Sequence, residues 1–224
     1  MMENAAISKS KAYIMPTIMM IVLGLVLFLP AGSFRYWQAW IYWTIFLIPT
    51  LFITVYFFKR NPELLASRWQ AKDQETVREI PAFFKLFYLA YIIPGFDFRF
   101  HWSNVPVWVV VAANLMFFLG YVLIIRVFKE NSYASANIKV EEDQQVIATG
   151  PYAKIRHPMY TGLLMMVLST PLALGSYWAI IPGLLFIPWT VLRIKNEEEL
   201  LIRNLPGYQD YCTKTPYRLI PSVW

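Results

Sequence analysis

Apolar residues in this chain come in long blocks broken by short polar stretches, not in the alternating or one-faced patterns of a soluble domain. Six blocks stand out: Tyr13–Leu29, Tyr36–Phe58, Ala82–Phe96, Pro106–Val127, Pro158–Leu174 and Tyr177–Leu192. Blocks near twenty residues match the ~30 Å hydrocarbon thickness of a bilayer when wound as helices. The third is short, holds Lys85, and runs into Pro94, Asp97 and Arg99. The last two carry Pro171, Pro182 and Pro188 and read as a tight helical hairpin turning at Gly175-Ser176. The pattern therefore predicts an all-α integral membrane protein with five or six transmembrane helices. Residues 1–224 read as one multi-pass domain, residues 1–130 supplying spans and 131–224 most of the polar chemistry. After the first block stands only Pro30-Ala31-Gly32, so no cleaved signal peptide is expected.

Composition agrees with that reading. Of 224 residues, 58% are hydrophobic and only 15% charged, too apolar for an ordinary soluble domain. The net charge of +6 comes without any dense Lys/Arg run, so it speaks to topology and not to nucleic acid. With the N-terminus in the cytoplasm and six spans, all but three of the twenty Lys and Arg residues fall on the cytoplasmic side; the exceptions are Arg35, Arg99 and Lys85. That asymmetry is the positive-inside pattern. Trp37, Trp40, Trp102, Trp108, Trp178 and Trp189 sit near the proposed span ends, as an interfacial belt requires. The single cysteine, Cys212, has no partner for an internal disulfide, and with only His101 and His157 far apart in sequence no metal is expected. Asn61–Pro81 mixes both charge signs and reads as an interfacial helix and loop.

The chemistry concentrates in three blocks of the C-terminal part. The first runs Gly150-Pro151-Tyr152 and then Arg156-His157-Pro158-Met159-Tyr160-Thr161-Gly162. Proline suits the first turn of a helix, so a helix should start at Pro158, with Arg156 and His157 beside its open end. Free N–H groups there favour a carboxylate or phosphate, though the same residues would also serve as a plain helix start facing lipid headgroups. The second block is Arg193-Ile194-Lys195-Asn196-Glu197-Glu198-Glu199, in which Arg193 and Glu197 share a helix face. By itself this pair is also what any exposed ion pair looks like, and three consecutive acids do not single one out. The third block, from Leu205-Pro206-Gly207-Tyr208 to Arg218-Leu219-Ile220-Pro221-Ser222-Val223-Trp224, reads as a turn and an aromatic, basic tail lying on the membrane.

In this order and spacing, from about Asn137 to Trp224, the three blocks resemble the isoprenylcysteine carboxyl methyltransferase family and its relatives, the phospholipid N-methyltransferases. The resemblance covers over a third of the chain and leaves the N-terminal spans unmatched beyond being apolar. It implies transfer of a methyl group from S-adenosyl-L-methionine to a lipophilic acceptor, leaving S-adenosyl-L-homocysteine, at the cytoplasmic face of a bacterial inner membrane or the endoplasmic reticulum. It implies a cofactor pocket built by the loop and the C-terminal helices, contacted by Asn137, Gln144, Gln145, Val146, Ile147, Tyr152, Arg156, His157, Pro158, Met159, Tyr160 and Glu197. Arg193 matches the arginine set against the acceptor, so Arg193 and Glu197 are the expected catalytic pair. Gln144-Gln145 follows the family pattern only loosely. The chain holds no Gly-x-Gly, so a soluble nucleotide-binding fold is not the expectation.

Three functions compete on this reading: carboxyl O-methylation of an isoprenylcysteine-like substrate, N-methylation of a phospholipid such as phosphatidylethanolamine, and a non-catalytic transport or binding role. The expected partners are membrane lipid and a lipid or lipidated acceptor, with no nucleic acid. An ionised carboxylate acceptor needs no general base, whereas an ammonium must first lose a proton; His157, Glu198 and Glu199 are the available bases. Transport would call for charges in mid-span, and here the interior blocks hold mainly Lys85 and Asn114.

Overall fold

A computed structural model describes residues 9–60, 88–131, 133 and 144–224. Asn137, the Asn61–Pro81 segment and Lys85 fall outside these residues. All regular structure among the described residues is helical: α1 (Lys9–Ala31), α2 (Trp37–Arg60), α3 (88–100), α4 (Val107–Glu130), a 3-10 turn at Gly150–Ala153, α5 (Pro158–Ala173), α6 (Ile180–Leu184), α7 (Phe186–Asn204) and α8 (Tyr208–Lys214). Three of these are long and apolar enough to cross a membrane: Ile14–Ala31, Trp37–Arg60 and Val107–Glu130; Pro158–Ala173 is a shorter apolar helix. Their outward faces expose Ile14, Ile18, Ile21, Leu25, Ile48, Val111 and Leu115, side chains that only lipid would cover without cost.

Two expectations need correction. The sixth block is not one span from Tyr177 to Leu192: it breaks at Leu185 into the single-turn α6 and the long α7, which continues to Asn204. Pro182 and Pro188 each remove a backbone donor within this stretch, which disfavours one uninterrupted helix. The third block, by contrast, continues through Pro94 to residue 100. Asp97 there is buried and accepts bonds from Ser103 N and Oγ (both 2.7 Å) and Ser176 Oγ (2.5 Å), so its carboxylate ends the helix in a satisfied knot.

The bundle is held by polar contacts between otherwise apolar faces. Tyr42 Oη pairs with Tyr91 Oη at 2.8 Å and with Thr170 Oγ1 at 2.9 Å, and Thr50 Oγ1 meets Tyr121 Oη at 2.9 Å. Such interhelical hydroxyl bonds are the glue available where no hydrophobic drive separates helix from lipid. Around them Tyr36, Tyr42, Phe117 and Leu27 form the buried core. One end of the bundle is defined by Gly175, where the chain turns with φ +76°; Tyr36 Oη reaches Leu174 O at 2.6 Å there. Trp37, Trp40, Trp102, Trp108 and Trp178 are all exposed at this end, a belt of indoles. Trp189, half-buried on α7, has Arg193 over its ring at 5.5 Å. Between α3 and α6 opens an apolar cavity of about 380 Å³, bordered by Leu89, Ile93, Trp102, Trp178 and Ile181.

Helices α4 and α5 approach each other closely. A Cβ placed on Gly120 would sit 2.7 Å from the backbone oxygen of Gly162, and one on Gly162 would sit 3.0 Å from the oxygen of Gly120. Backbone therefore faces backbone, the use to which membrane helices put small residues. Gly120→Ala should destabilise the protein by about 1–3 kcal/mol, as overpacking against an unyielding backbone does. Gly183→Ala, whose Cβ would meet nothing nearer than 3.6 Å, should leave stability unchanged or raise it by about 0.4–1 kcal/mol. Thermal unfolding of both variants in one detergent measures the contrast.

Candidate active site

The glycine contact fixes where α5 begins. It brings the end of α4 against the segment before α5, where Gly150 takes φ +57° beside the Glu130 side chain. Glu130 accepts a hydrogen bond from Thr149 Oγ1, and Asn131 Nδ2 donates to Tyr152 Oη at 3.0 Å. Tyr152 O in turn accepts from Tyr211 Oη at 2.7 Å, tying the turn to α8. Val146 and Tyr152 pack against Leu205, Tyr208 and Tyr211. Helix α5 starts at Pro158 with His157 as its N-cap, and no side chain caps it.

Two polar clusters join α5 to α7. In the first, Tyr160 Oη donates to Glu197 Oε2 at 2.7 Å and accepts from Arg193 Nε at 2.9 Å. Arg193 and Glu197, one turn apart on α7, thus meet on a single hydroxyl. Both are only partly buried. Tyr160 packs with Ile194 and Leu219, and Met159 lies against that group as well as against Phe57 and Phe128.

The second cluster is buried. Glu198 Oε1 accepts from Arg156 Nε at 2.7 Å and lies 3.1 Å from His157 Nε2, while Oε2 accepts from Arg218 Nε at 2.7 Å. Arg156, His157 and Glu198 are each less than a tenth exposed. Burial alone would raise the Glu198 carboxyl, but the bonds from His157, Arg156 and Arg218 outweigh it and hold the group at about 2. Around the cluster, burial pushes the hydroxyls of Tyr208 and Tyr211 and the thiol of Cys212 upward, so none of the three is an available base or nucleophile near neutral pH.

The structure thus assigns new partners to several residues. Arg156 and His157 are directed at Glu198 and not at the open helix end. Glu198 is no spare acid: Phe186, Thr190, Ile194 and Glu198 form the buried stripe of α7, each four residues after the last, so helical period alone marks it as the inward acid. Arg218 does not lie with a surface tail. The chain from Thr215 to Leu219 folds back over the start of α5, its carbonyls at 215, 217, 218 and 219 accepting from Arg156 Nη1, Arg156 N, His157 N and Thr161 Oγ1 at 2.8–2.9 Å. Complementary charge and unfilled backbone donors draw it there. Gln144 to Ile147 lie in irregular chain just before the turn, with Gln145 exposed. No cluster of metal-ligating side chains occurs among the described residues.

Because the folded-state carboxyl of Glu198 lies below its ordinary value, its contribution to stability is present above pH 4.5 and is lost as pH falls towards about 2. Wild-type protein should therefore show a falling unfolding midpoint through that window. Glu198→Gln should start lower and lose less over the same range, which pH-resolved unfolding in detergent would reveal.

Comparison with known proteins bears on the same region. The model of the phospholipid methyltransferase family matches residues 108–206, from α4 through α7. A Delta(14)-sterol reductase of Mus musculus is 31% identical over 85 residues, covering 36% of this chain and 20% of the relative. A nickel-cobalt-cadmium resistance protein of Alcaligenes xylosoxydans xylosoxydans is 34% identical over 86 residues, covering 35% of this chain and 38% of the relative. The alignments thus span less than two fifths of either curated relative. Helices long and apolar enough for a bilayer thus accompany, over residues 108–206, a similarity to the phospholipid methyltransferase family.

Proposed function

We propose that the protein uses S-adenosyl-L-methionine to methylate a lipophilic acceptor, and that the acceptor group is a carboxylate of the isoprenylcysteine kind. One observation carries the reading: the Tyr160 hydroxyl holds the Glu197 carboxylate and the Arg193 guanidinium together at the start of α5. The methionine end of the cofactor bears an ammonium, a carboxylate and a sulfonium, and the residues present fit these charges. Glu197 would pair with the ammonium. The first-turn N–H groups of α5, at Met159 and Tyr160, would face the carboxylate. The Tyr152 or Tyr160 ring would face the sulfonium, a contact worth ~0.5–2 kcal/mol. Gln144, Gln145, Val146, Ile147 and Asn137 would border the nucleoside end, and Pro158 fixes the turn of backbone. Arg156 and His157 would act from behind, through Glu198. When bound, the cofactor supplies an electrophilic methyl group.

The chain's own part is then alignment and exclusion of water. Arg193, backed by the Trp189 ring, would orient an acceptor carboxylate, which is already ionised near neutral pH. N-methylation of phosphatidylethanolamine is the second reading, and the family match at residues 108–206 favours it. It needs a base, and the candidate bases are poorly placed. Glu198 is held at about 2 and bonded to three donors. His157 Nε2 is engaged by Glu198, and Glu199 is exposed and near Arg203 at 3.7 Å. A transport role is less well supported, since the buried charged groups among the described residues gather at the two ends of the bundle as Asp97 and as the Glu198 cluster. The two relatives' differing names bear on the shared segment and not on the acceptor. The Lys/Arg asymmetry supports a cytoplasmic site.

Calorimetry of the detergent-solubilised protein with S-adenosyl-L-homocysteine should show binding. Glu197→Gln and Tyr160→Phe should each weaken it on the order of tenfold to a hundredfold, the range for losing a hydrogen bond to a charged group. Wild-type affinity in both variants would move the pocket elsewhere. Transfer of labelled methyl should yield a base-labile ester on a prenylated cysteine. A base-stable product on phosphatidylethanolamine would instead establish the amine acceptor.

A further inference from the structure

We infer that Glu198 is a positioning residue: by clasping the 215–219 tail to the segment before α5, it sets the rotation of α7 that presents Arg193 and Glu197 to Tyr160. The inference rests on the reading of that pair as the methyl-transfer site. Three segments remote in sequence meet at this one carboxylate. Arg156 and His157 come from the approach to α5, Glu198 from α7 and Arg218 from the tail. The tail also lays its carbonyls along residues 156–161.

Rotation is the property that needs setting. Glu197, Glu198 and Glu199 are chemically equivalent, and an α-helix turns about 100° per residue. Charge alone would let any of the three approach Tyr160. Only one arrangement satisfies both rungs between the helices, Glu197 on Tyr160 and Glu198 on His157. In that arrangement the buried rung is saturated with donors, and the half-buried rung stays accessible for a ligand. Buried ion clusters add little net stability over a well-packed apolar replacement, and their best-attested use is to specify register. Thr190 and Ile194, preceding Glu198 on the same buried stripe, bring no charge that would discriminate.

The test uses the full chain in detergent or nanodiscs, with S-adenosyl-L-homocysteine as the probe. The variants are Glu198→Gln, Glu198→Asp and, as the milder perturbation, Arg218→Gln, whose side chain is a third exposed. Amide hydrogen exchange reads tail docking directly, because the N–H groups of Arg156 and His157 are bonded to Tyr217 O and Arg218 O. In Glu198→Gln, exchange at 156–157 should rise at least tenfold while α4 keeps its protection, and affinity for the probe should fall at least tenfold. Arg218→Gln should move both readings in the same direction by less, and Glu198→Asp should restore part of each. Gly95→Ala, whose Cβ would meet Pro30 Cβ at 2.8 Å near Asp97 at the opposite end of the bundle, should leave probe affinity within about twofold of wild type. The inference is overturned by wild-type exchange and affinity in Glu198→Gln. It is equally overturned if Gly95→Ala and Glu198→Gln lower affinity alike in proportion to their unfolding midpoints. If Glu198→Gln does not fold, Arg218→Gln decides by the same criteria. If the wild type itself binds no probe, the methyltransferase reading fails alone, and exchange at 156–157 still decides whether Glu198 docks the tail.

Discussion

The backbone contact between Gly120 and Gly162 is the constraint from which the rest follows. Helices with larger side chains at the crossing stand 8–10 Å apart; here each carbonyl occupies the space a methyl group would need on the other helix. That leaves little freedom for α5 to slide or rotate on α4. The start of α5 is thereby held against the turn at Gly150 and Tyr152, and α7 and the tail assemble on a fixed template. Polar side chains at the two ends of the bundle then finish what the glycines begin, Asp97 at one and Glu198 at the other.

The two ends solve the same problem differently. Asp97 is satisfied by hydroxyls and a backbone N–H, neutral donors that bind a carboxylate without adding charge. Glu198 is satisfied by two guanidinium groups and an imidazole, which carry more positive charge than it cancels. Charge-assisted bonds of this kind are shorter and stronger than neutral ones. The surplus leaves this cluster with a net positive charge, whereas the carboxylate of Asp97 meets neutral donors alone.

Much of the architecture was legible in the sequence because block length is a strong signal. The first, second and fourth blocks agree with α1, α2 and α4 to within a few residues, and Pro158 marks the start of α5 because a missing N–H is harmless only there. The sixth block misled because hydropathy ignores backbone donors, and Pro182 and Pro188 break a stretch that is apolar throughout. Within the site, Arg193, Glu197 and Tyr160 were readable as chemical types, and the structure adds that they share a hydroxyl. Glu198 and Arg218 were not picked out. Glu198 hides between two identical neighbours, and only the four-residue spacing from Phe186 distinguishes it. Arg218 lies in a tail whose composition suits a membrane surface equally well, and its course depends on contacts sixty residues away. The bonds of Arg156 and His157 to Glu198 are hidden for the same reason: that carboxylate is about forty residues distant in sequence and adjacent only after α5 and α7 pack.

The phenol between Arg193 and Glu197 has one proton to give. Directed at the carboxylate, it leaves only oxygen lone pairs for the guanidinium, so the relay has a sense of direction and cannot reverse while Glu197 keeps its charge. A cation that drew Glu197 away would release that proton and let the phenol turn towards whatever lay beside Arg193. Occupancy on the acidic side would in that way be announced on the basic side by the swing of a single O–H bond, with no helix required to move.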